Sequence, residues 1–281
     1  MADDPLRMLS DEPGRAAVLL DVDGTLAPIV ERPEDARVPD ETRREVARLA
    51  GRYALVACVS GRPRDEVERM LGVDGVAIVG EHGLELAPDA ERWAEAVAAF
   101  ANGVDWPAER KPLSLSFHFR RVDDEAAALA YLSRVADDAE REGLVPRWGR
   151  KVLEIRPPVA ADKGTAVTAL LARAGVGRAL YAGDDTTDVD AFRGLDGLQH
   201  AVRVAVDSGE APPALIARAG ADRALYAGDD TTDVDAFRGL DGLEHAVRVA
   251  VDSGEAPPEL LAAADLIVEG TKGVLDLLRR L

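Results

Sequence analysis

A single cysteine in 281 residues excludes a disulfide framework within the chain. Cys58 stands in the apolar run ALVACVS, which reads as a small buried side chain rather than a reactive thiol. Long apolar runs are missing too: none approaches the ~18 residues needed to cross a membrane. The N-terminal stretch MADDPLRMLSDEPGR is acidic and lacks the apolar segment of a signal peptide, so a cytoplasmic location is expected. Positive charge is in deficit, with a net charge of −18. That balance argues against nucleic acid, which calls for a basic face, and against anionic membrane surfaces. A small anionic substrate stays open, provided a local basic cluster or a metal cation receives it.

What is present is an ordinary globular composition, 47% hydrophobic and 31% charged, long enough for one large domain or two small ones. AAVLLDVDG reads as a buried strand closed by a glycine turn, ETRREVARLAGR as a helix and YALVACVSGR as a second buried strand. RDEVERMLG follows as a helix and GVAIVGEHG as a third strand. Strands alternating with helices at this spacing predict βαβ units and a parallel sheet. The middle of the chain differs. LSLSFHFRRV and KVLEIRP alternate like strands with one covered face, on either side of a long helix in EAAALAYLSRVADDAEREG. The expected fold is therefore α/β: a Rossmann-like core over residues 1–84 and 158–281, with a smaller α/β domain inserted over 85–157.

The chain also repeats itself. Ala169–Pro213 aligns with Ala214–Pro258 at an offset of 45, with four differences: Leu171/Ile216, Val176/Ala221, Gly177/Asp222 and Gln199/Glu244. Solenoid arrays need three or more units, so two copies in a nonrepetitive chain read as a tandem segmental duplication. The expected consequence is a core sheet that grows at one edge.

Polar residues gather where parallel sheets place their sites, at the carboxyl ends of strands. Asp21 and Asp23 follow the first strand, and a cation or a proton would relieve their mutual repulsion. An EF-hand fails, because Gly24 comes two places early and Thr25 stands where an acid should; a solvated Asp turn is the plain alternative. Ser60 and Gly61 close the second strand, suited to phosphate oxygens but equally to a helix N-cap. Lys163 opens the helix in ADKGTAV and alone would read as a surface lysine. Asp184 and Asp185 follow the strand RALYAG, with Asp188 one turn later.

Together DVDGT, SGR, DKG and GDDTTD resemble the four motifs of the haloacid dehalogenase-like phosphohydrolases, and the inserted domain resembles their C2-type cap. GEHGLEL, SLSFHFR, GRKVLEIRPP and GDDTTDVDAF are similar to the trehalose-6-phosphate phosphatase family, from about Ala16 onward. The resemblance implies an aspartyl-phosphate on Asp21, with Asp23 as general acid and then base. It implies Mg²⁺ held by Asp21, the Asp23 carbonyl and Asp184, with Asp185 and Asp188 orienting its waters, and Ser60 and Lys163 on the phosphoryl oxygens. It assigns sugar contact to Arg62, His82, Glu85, Arg120, Lys151 and Glu154; a solvated strand edge remains the alternative for Lys151 and Glu154, and a half-buried filler is the reading of His118. The implied substrate is a small-molecule sugar phosphate, trehalose 6-phosphate first, with sucrose- or mannosylglycerate-type phosphatases as neighbours. A catalytically impaired sugar-phosphate binder and a phosphomutase are readings of other kinds. With one DVDGT there is one complete site. The first copy is expected to serve it, leaving Asp229, Asp230 and Asp233 two strands and ~10 Å away; the rival arrangement puts the second copy at the site. Oligomeric state stays open.

Overall fold

The computed structural model describes residues 6–30, 32–120, 122–149, 151–183, 187–205, 223–228, 245–251, 266–268, 275, 276 and 279. A short α1 (Arg7–Ser10) precedes the first βα units: β1 (Ala16–Leu20), α2 (Asp40–Ala50), β2 (Leu55–Val59), α3 (Arg64–Leu71) and β3 (Ala77–Val79). A second unit follows, made of α4 (Ala94–Phe100), β4 (Glu109–Arg110), β5 (Leu115–His118), α5 (Glu125–Arg141), β6 (Val145–Gly149) and β7 (Val152–Arg156). The chain then returns through α6 (Lys163–Ala174), β8 (Arg178–Gly183), α7 (Asp188–Arg193), β9 (His200–Ala205), β10 (Arg223–Gly228), β11 (His245–Val251) and β12 (Leu266–Val268).

The main sheet has eight strands in the order β12-β11-β10-β9-β8-β1-β2-β3, and its paired strands run parallel. The mixed α/β class expected from strand–helix alternation is the one observed. β1 is buried on both faces because its residues split by parity. Val18 and Leu20 join one core with Val46, Leu49, Val67 and Leu71 of α2 and α3. Ala17 and Leu19 join the other with Val167, Leu170 and Phe192 of α6 and α7. Each such Val or Leu contributes roughly 1.5–3 kcal/mol of burial, so the strand that carries Asp21 at its tip is firmly held. Cys58 lies in the same interior, fully buried, and burial followed by the charge of Asp21 pushes its thiol up to about 12.

The second sheet is antiparallel, in the order β4-β5-β7-β6. Leu115, Phe117, Leu153 and Ile155 turn to a core shared with Leu132 and Val135 of α5. The intervening Ser116, Glu154 and Arg156 therefore occupy the opposite face.

Strands from both repeats lie in the main sheet. β8 and β9 come from the first copy, β10 and β11 from the second, and β10 stands two places beyond β8. Asp184, Asp185, Asp229, Asp230 and Asp233 lie outside the described residues.

Candidate active site

β1 ends at Leu20, so Asp21 emerges at the carboxyl edge of the sheet, its N–H bonded to the Ala182 carbonyl at 2.8 Å. Gly24, at φ 77°, turns the chain so that its N–H meets the Ala27 carbonyl. Lys163 reaches Asp21 from α6. A capping box sets where that helix starts: the Asp162 carboxylate accepts from Thr165 N at 2.7 Å, and Thr165 Oγ1 accepts from Asp162 N at 2.9 Å. Lys163 is thereby the first helical residue, and only 2% of it is exposed. Its Nζ lies 2.9 Å from Asp21 Oδ1 and 2.7 Å from Asp188 Oδ1.

A buried ammonium needs such partners. Asp188 is fully buried at the start of α7 and takes a second hydrogen bond on Oδ1, from the Tyr181 hydroxyl at 2.7 Å. Burial, then the Asp188 charge, raises the Tyr181 pKa well above its ordinary value, so the phenol stays a neutral donor. Gly183 makes room for this packing. A Cβ there would fall 2.2 Å from the Asp188 carboxyl carbon.

Asp23 has a different partner. Arg62 donates to it twice, Nε to Oδ2 at 2.7 Å and Nη2 to Oδ1 at 2.8 Å, and also meets Glu66 and the Pro33 carbonyl. Burial would lower the guanidinium pKa, but the bonds to Asp23 and the charge of Glu66 outweigh it and raise it. The bidentate fork fixes the carboxylate plane as well as its charge. Ser60 is buried, and its Oγ accepts the Arg62 N–H at 3.2 Å.

A third group centres on Glu154. Glu154 of β7 is 6% exposed, with His82 Nε2 at 4.0 Å, Lys111 Nζ at 3.7 Å and Arg156 Nε at 3.8 Å. Burial alone would raise its pKa; the charges of His82, Lys111, Arg156 and Arg147 hold it below the ordinary value. Glu154 Oε1 is buried without a hydrogen-bond partner, an orphaned acceptor at a polar face. Lys111 also donates to the Gly61 carbonyl at 3.1 Å, tying this face to the loop after β2. On the same unit, His118 Nε2 lies 2.6 Å from Glu109 Oε2.

The turn after β3 links the groups. Glu81 and His82 carry positive φ values of 47° and 52°, a conformation that costs non-glycine residues about 1–3 kcal/mol each. Main-chain bonds hold it: Glu81 N to Arg62 O at 2.9 Å and His82 N to Ser60 O at 2.8 Å. The His82 ring lies against Gly61, where a Cβ would come within 2.5 Å of Nε2. Glu81, fully buried, receives Leu113 N at 3.1 Å and Ser114 Oγ at 2.7 Å from the inserted unit. Burial raises its pKa, and those two bonds pull it partly back.

Asp21, Asp23, Ser60, Arg62, His82, Glu154, Lys163 and Asp188 are thus drawn into one connected region. Three other residues expected at the sugar have different surroundings. Glu85 accepts from Gly80 N at 3.1 Å and Arg64 N at 3.2 Å, joining the turn after β3 to the start of α3. Lys151 pairs with Glu125 at 2.5 Å, and Arg120 is exposed. Lys111, Glu81, Arg147, Arg156 and Tyr181 join the region without having been singled out in the sequence. Among the described residues no group of three or more His, Cys, Asp or Glu could hold a metal ion. None of their helices is long and apolar enough to cross a membrane.

A family model described as trehalose-phosphatase matches residues 19–109 and 107–217. The chain belongs to the trehalose-phosphatase family. The matched span carries every residue of the three groups above and ends shortly after the first repeat. A probable trehalose-phosphate phosphatase of Oryza sativa subsp. japonica is 34% identical over 235 residues, covering 68% of this chain and 62% of that protein. An uncharacterized glycosyl hydrolase of Mycobacterium tuberculosis is 37% identical over 204 residues, covering 63% of this chain and 15% of that protein. The chain thus spans under two thirds of the length of these curated relatives. A solved structure, the C-terminal domain of trehalose-6-phosphate phosphatase from C. albicans, shares the fold: TM-score 0.52, 22% identity, 99% of this chain and 96% of that one.

Proposed function

We propose that the chain is a phosphomonoesterase that hydrolyses trehalose 6-phosphate to trehalose and phosphate. The observation that carries this reading is the buried Lys163 bridge between Asp21 and Asp188, with Asp23 gripped alongside at the tip of β1. Asp21, held at Oδ1 by Lys163, attacks phosphorus and forms an aspartyl phosphate. Asp23 enters protonated and gives its proton to the departing sugar oxygen. It then takes a proton from the water that cleaves the intermediate, which returns both carboxyl groups to their starting forms. Both Asp23 oxygens accept from Arg62, so the arriving phosphate dianion must draw the guanidinium toward itself for the first step. That gives Arg62 a part in binding. Ser60 and Lys163 compensate charge on the phosphoryl oxygens. The inserted unit serves as the cap, with Glu154, His82 and Lys111 presenting acceptors and donors to sugar hydroxyls.

The residues present fit a magnesium ion. Their donors are oxygens, as a hard cation prefers, and the buried carboxylates of Asp21 and Asp188 stand together at the carboxyl edge of the sheet. Asp21, the Asp23 carbonyl and the acidic loop at Asp184, Asp185 and Asp188 would hold it, and it would withdraw charge from the phosphoryl group. Phosphate release from a sugar-phosphate panel tests the reading. Trehalose 6-phosphate should exceed sucrose- and mannosylglycerate-phosphates at least about tenfold in kcat/KM, and Asp21→Asn should abolish release with an unchanged circular dichroism spectrum. A better second substrate, or an active Asp21→Asn, would overturn it.

A further inference from the structure

The inserted sheet touches the main body at both of its edges. β4 and β6 are the two edge strands. Just after β4, Lys111 donates to the Gly61 carbonyl. At the other edge, Arg147 of β6 donates from Nη2 to Asp190 Oδ2 at 2.9 Å, with about a third of Arg147 and a fifth of Asp190 left exposed. Asp190 also holds Arg193 Nη1 on its other oxygen, at 2.7 Å, so its carboxylate is fixed from both sides.

Two features make the Arg147 contact more than a surface ion pair. Arg147 stands directly opposite Glu154 in the β6–β7 register, so the placing of its strand is felt at Glu154. Asp190 stands two residues after Asp188, on the same short helix that anchors Lys163. A continuous set of contacts therefore runs from the phosphate-facing Lys163 through α7, across Asp190 and Arg147, to Glu154.

We propose that Arg147 and Asp190 are positioning residues that seat the inserted sheet over Asp21 and fix the distance between the reacting phosphate and the sugar-facing carboxylate. This rests on the phosphatase reading. Because the Asp190 helix belongs to the first repeat, the seat also makes the first copy the one the inserted sheet recognises.

The test uses two substrates, trehalose 6-phosphate and p-nitrophenyl phosphate, which has no sugar to place. Arg147→Ala and Asp190→Asn should each raise KM for the sugar phosphate about tenfold or more, with kcat/KM for the aryl ester within about twofold of the parent. The double variant should be no worse than Arg147→Ala alone, since that change already removes the contact with Asp190. Arg147→Lys should recover much of the loss. A parallel fall on both substrates, additive losses, or no change on the sugar phosphate would overturn the proposal. If the parent favours another sugar phosphate, that substrate takes the place of trehalose 6-phosphate. The substrate assignment then fails while the seat is still judged.

Discussion

β8 and β10 carry the same six residues, RALYAG, and the same acidic loop follows each in the sequence. Their neighbours differ. β8 lies between β1 and β9, and β10 between β9 and β11. Only β8 is paired with the strand that delivers Asp21, in a register that sets Leu20 opposite Ala182. Identical strand sequences thus occupy unequal places in the sheet. What makes a set of acids a site is the strand next door and the lysine that reaches them, and here Lys163 reaches the Asp188 of the first copy.

The comparison breaks most sharply at that acid. Asp188→Asn keeps the shape but removes the charge that holds Lys163, and phosphatase activity should fall about a hundredfold or more. Asp233→Asn, the matching change in the second copy, should leave kcat/KM within about twofold. Steady-state phosphate release on the two variants decides it, and a dead Asp233→Asn beside an active Asp188→Asn would reverse the roles of the copies.

A smaller effect is expected at the end of β8. A methyl group added at Gly183 would meet the Asp188 carboxyl carbon at 2.2 Å, and the backbone or the carboxylate must shift. Overpacking of this kind costs about 1–3 kcal/mol. Gly183→Ala should lower the melting temperature by several degrees and most of the activity with it. Gly228→Ala tests the same substitution two strands away and should leave activity intact. Differential scanning calorimetry with parallel assays reads both. Equal losses of activity in the two would mean that position in the sheet does not separate the copies.

The parts of the site that were legible share a grammar: an apolar run buried on both faces, then a turn with acids or Ser-Gly. β1, β2 and β8 all read this way because a central parallel strand can expose polar groups only at its end. Glu81 follows β3 and Gly80 by the same grammar, and that signal could have found it. Lys163 was harder. A single lysine at a helix start looks solvated until its partners, Asp21 and Asp188, are brought to it by β1 and α7. The polar face of the inserted sheet was harder still. Alternation shows that Ser116, Glu154 and Arg156 share a face, but not that His82 and Lys111 gather at Glu154 on it. β4 is two residues long and β6 contains Pro146, which is tolerated because β6 is an edge strand. Neither carries a readable strand pattern, so Lys111 and Arg147, which tie down the two edges, went unseen. Tyr181 sits in an apolar strand, and nothing in RALYAG tells that its hydroxyl meets a carboxylate.

That hydroxyl gives the mildest test of the two copies. The Tyr181 bond to Asp188 is buried, short and charge-assisted, and such bonds contribute about 1.5–3 kcal/mol. Tyr181→Phe keeps the ring and its edge-on packing against Phe192, at 6.0 Å between centroids, and removes only the donor. Asp188 retains Lys163, so activity should survive at a reduced level while urea unfolding shifts to a lower midpoint with the same slope. Because burial and the Asp188 charge keep the phenol neutral, the stability difference between the parent and Tyr181→Phe should be flat from neutral pH up to the ordinary tyrosine range. Sign matters at the upper end. Raised in the folded protein, this pKa makes the unfolded chain the first to lose the proton, so the parent's stability should decline there relative to the variant. Tyr226→Phe, at the equivalent place on β10, should change activity by less than about twofold. An activity loss in Tyr226→Phe matching that in Tyr181→Phe would show that the second strand shares the site after all.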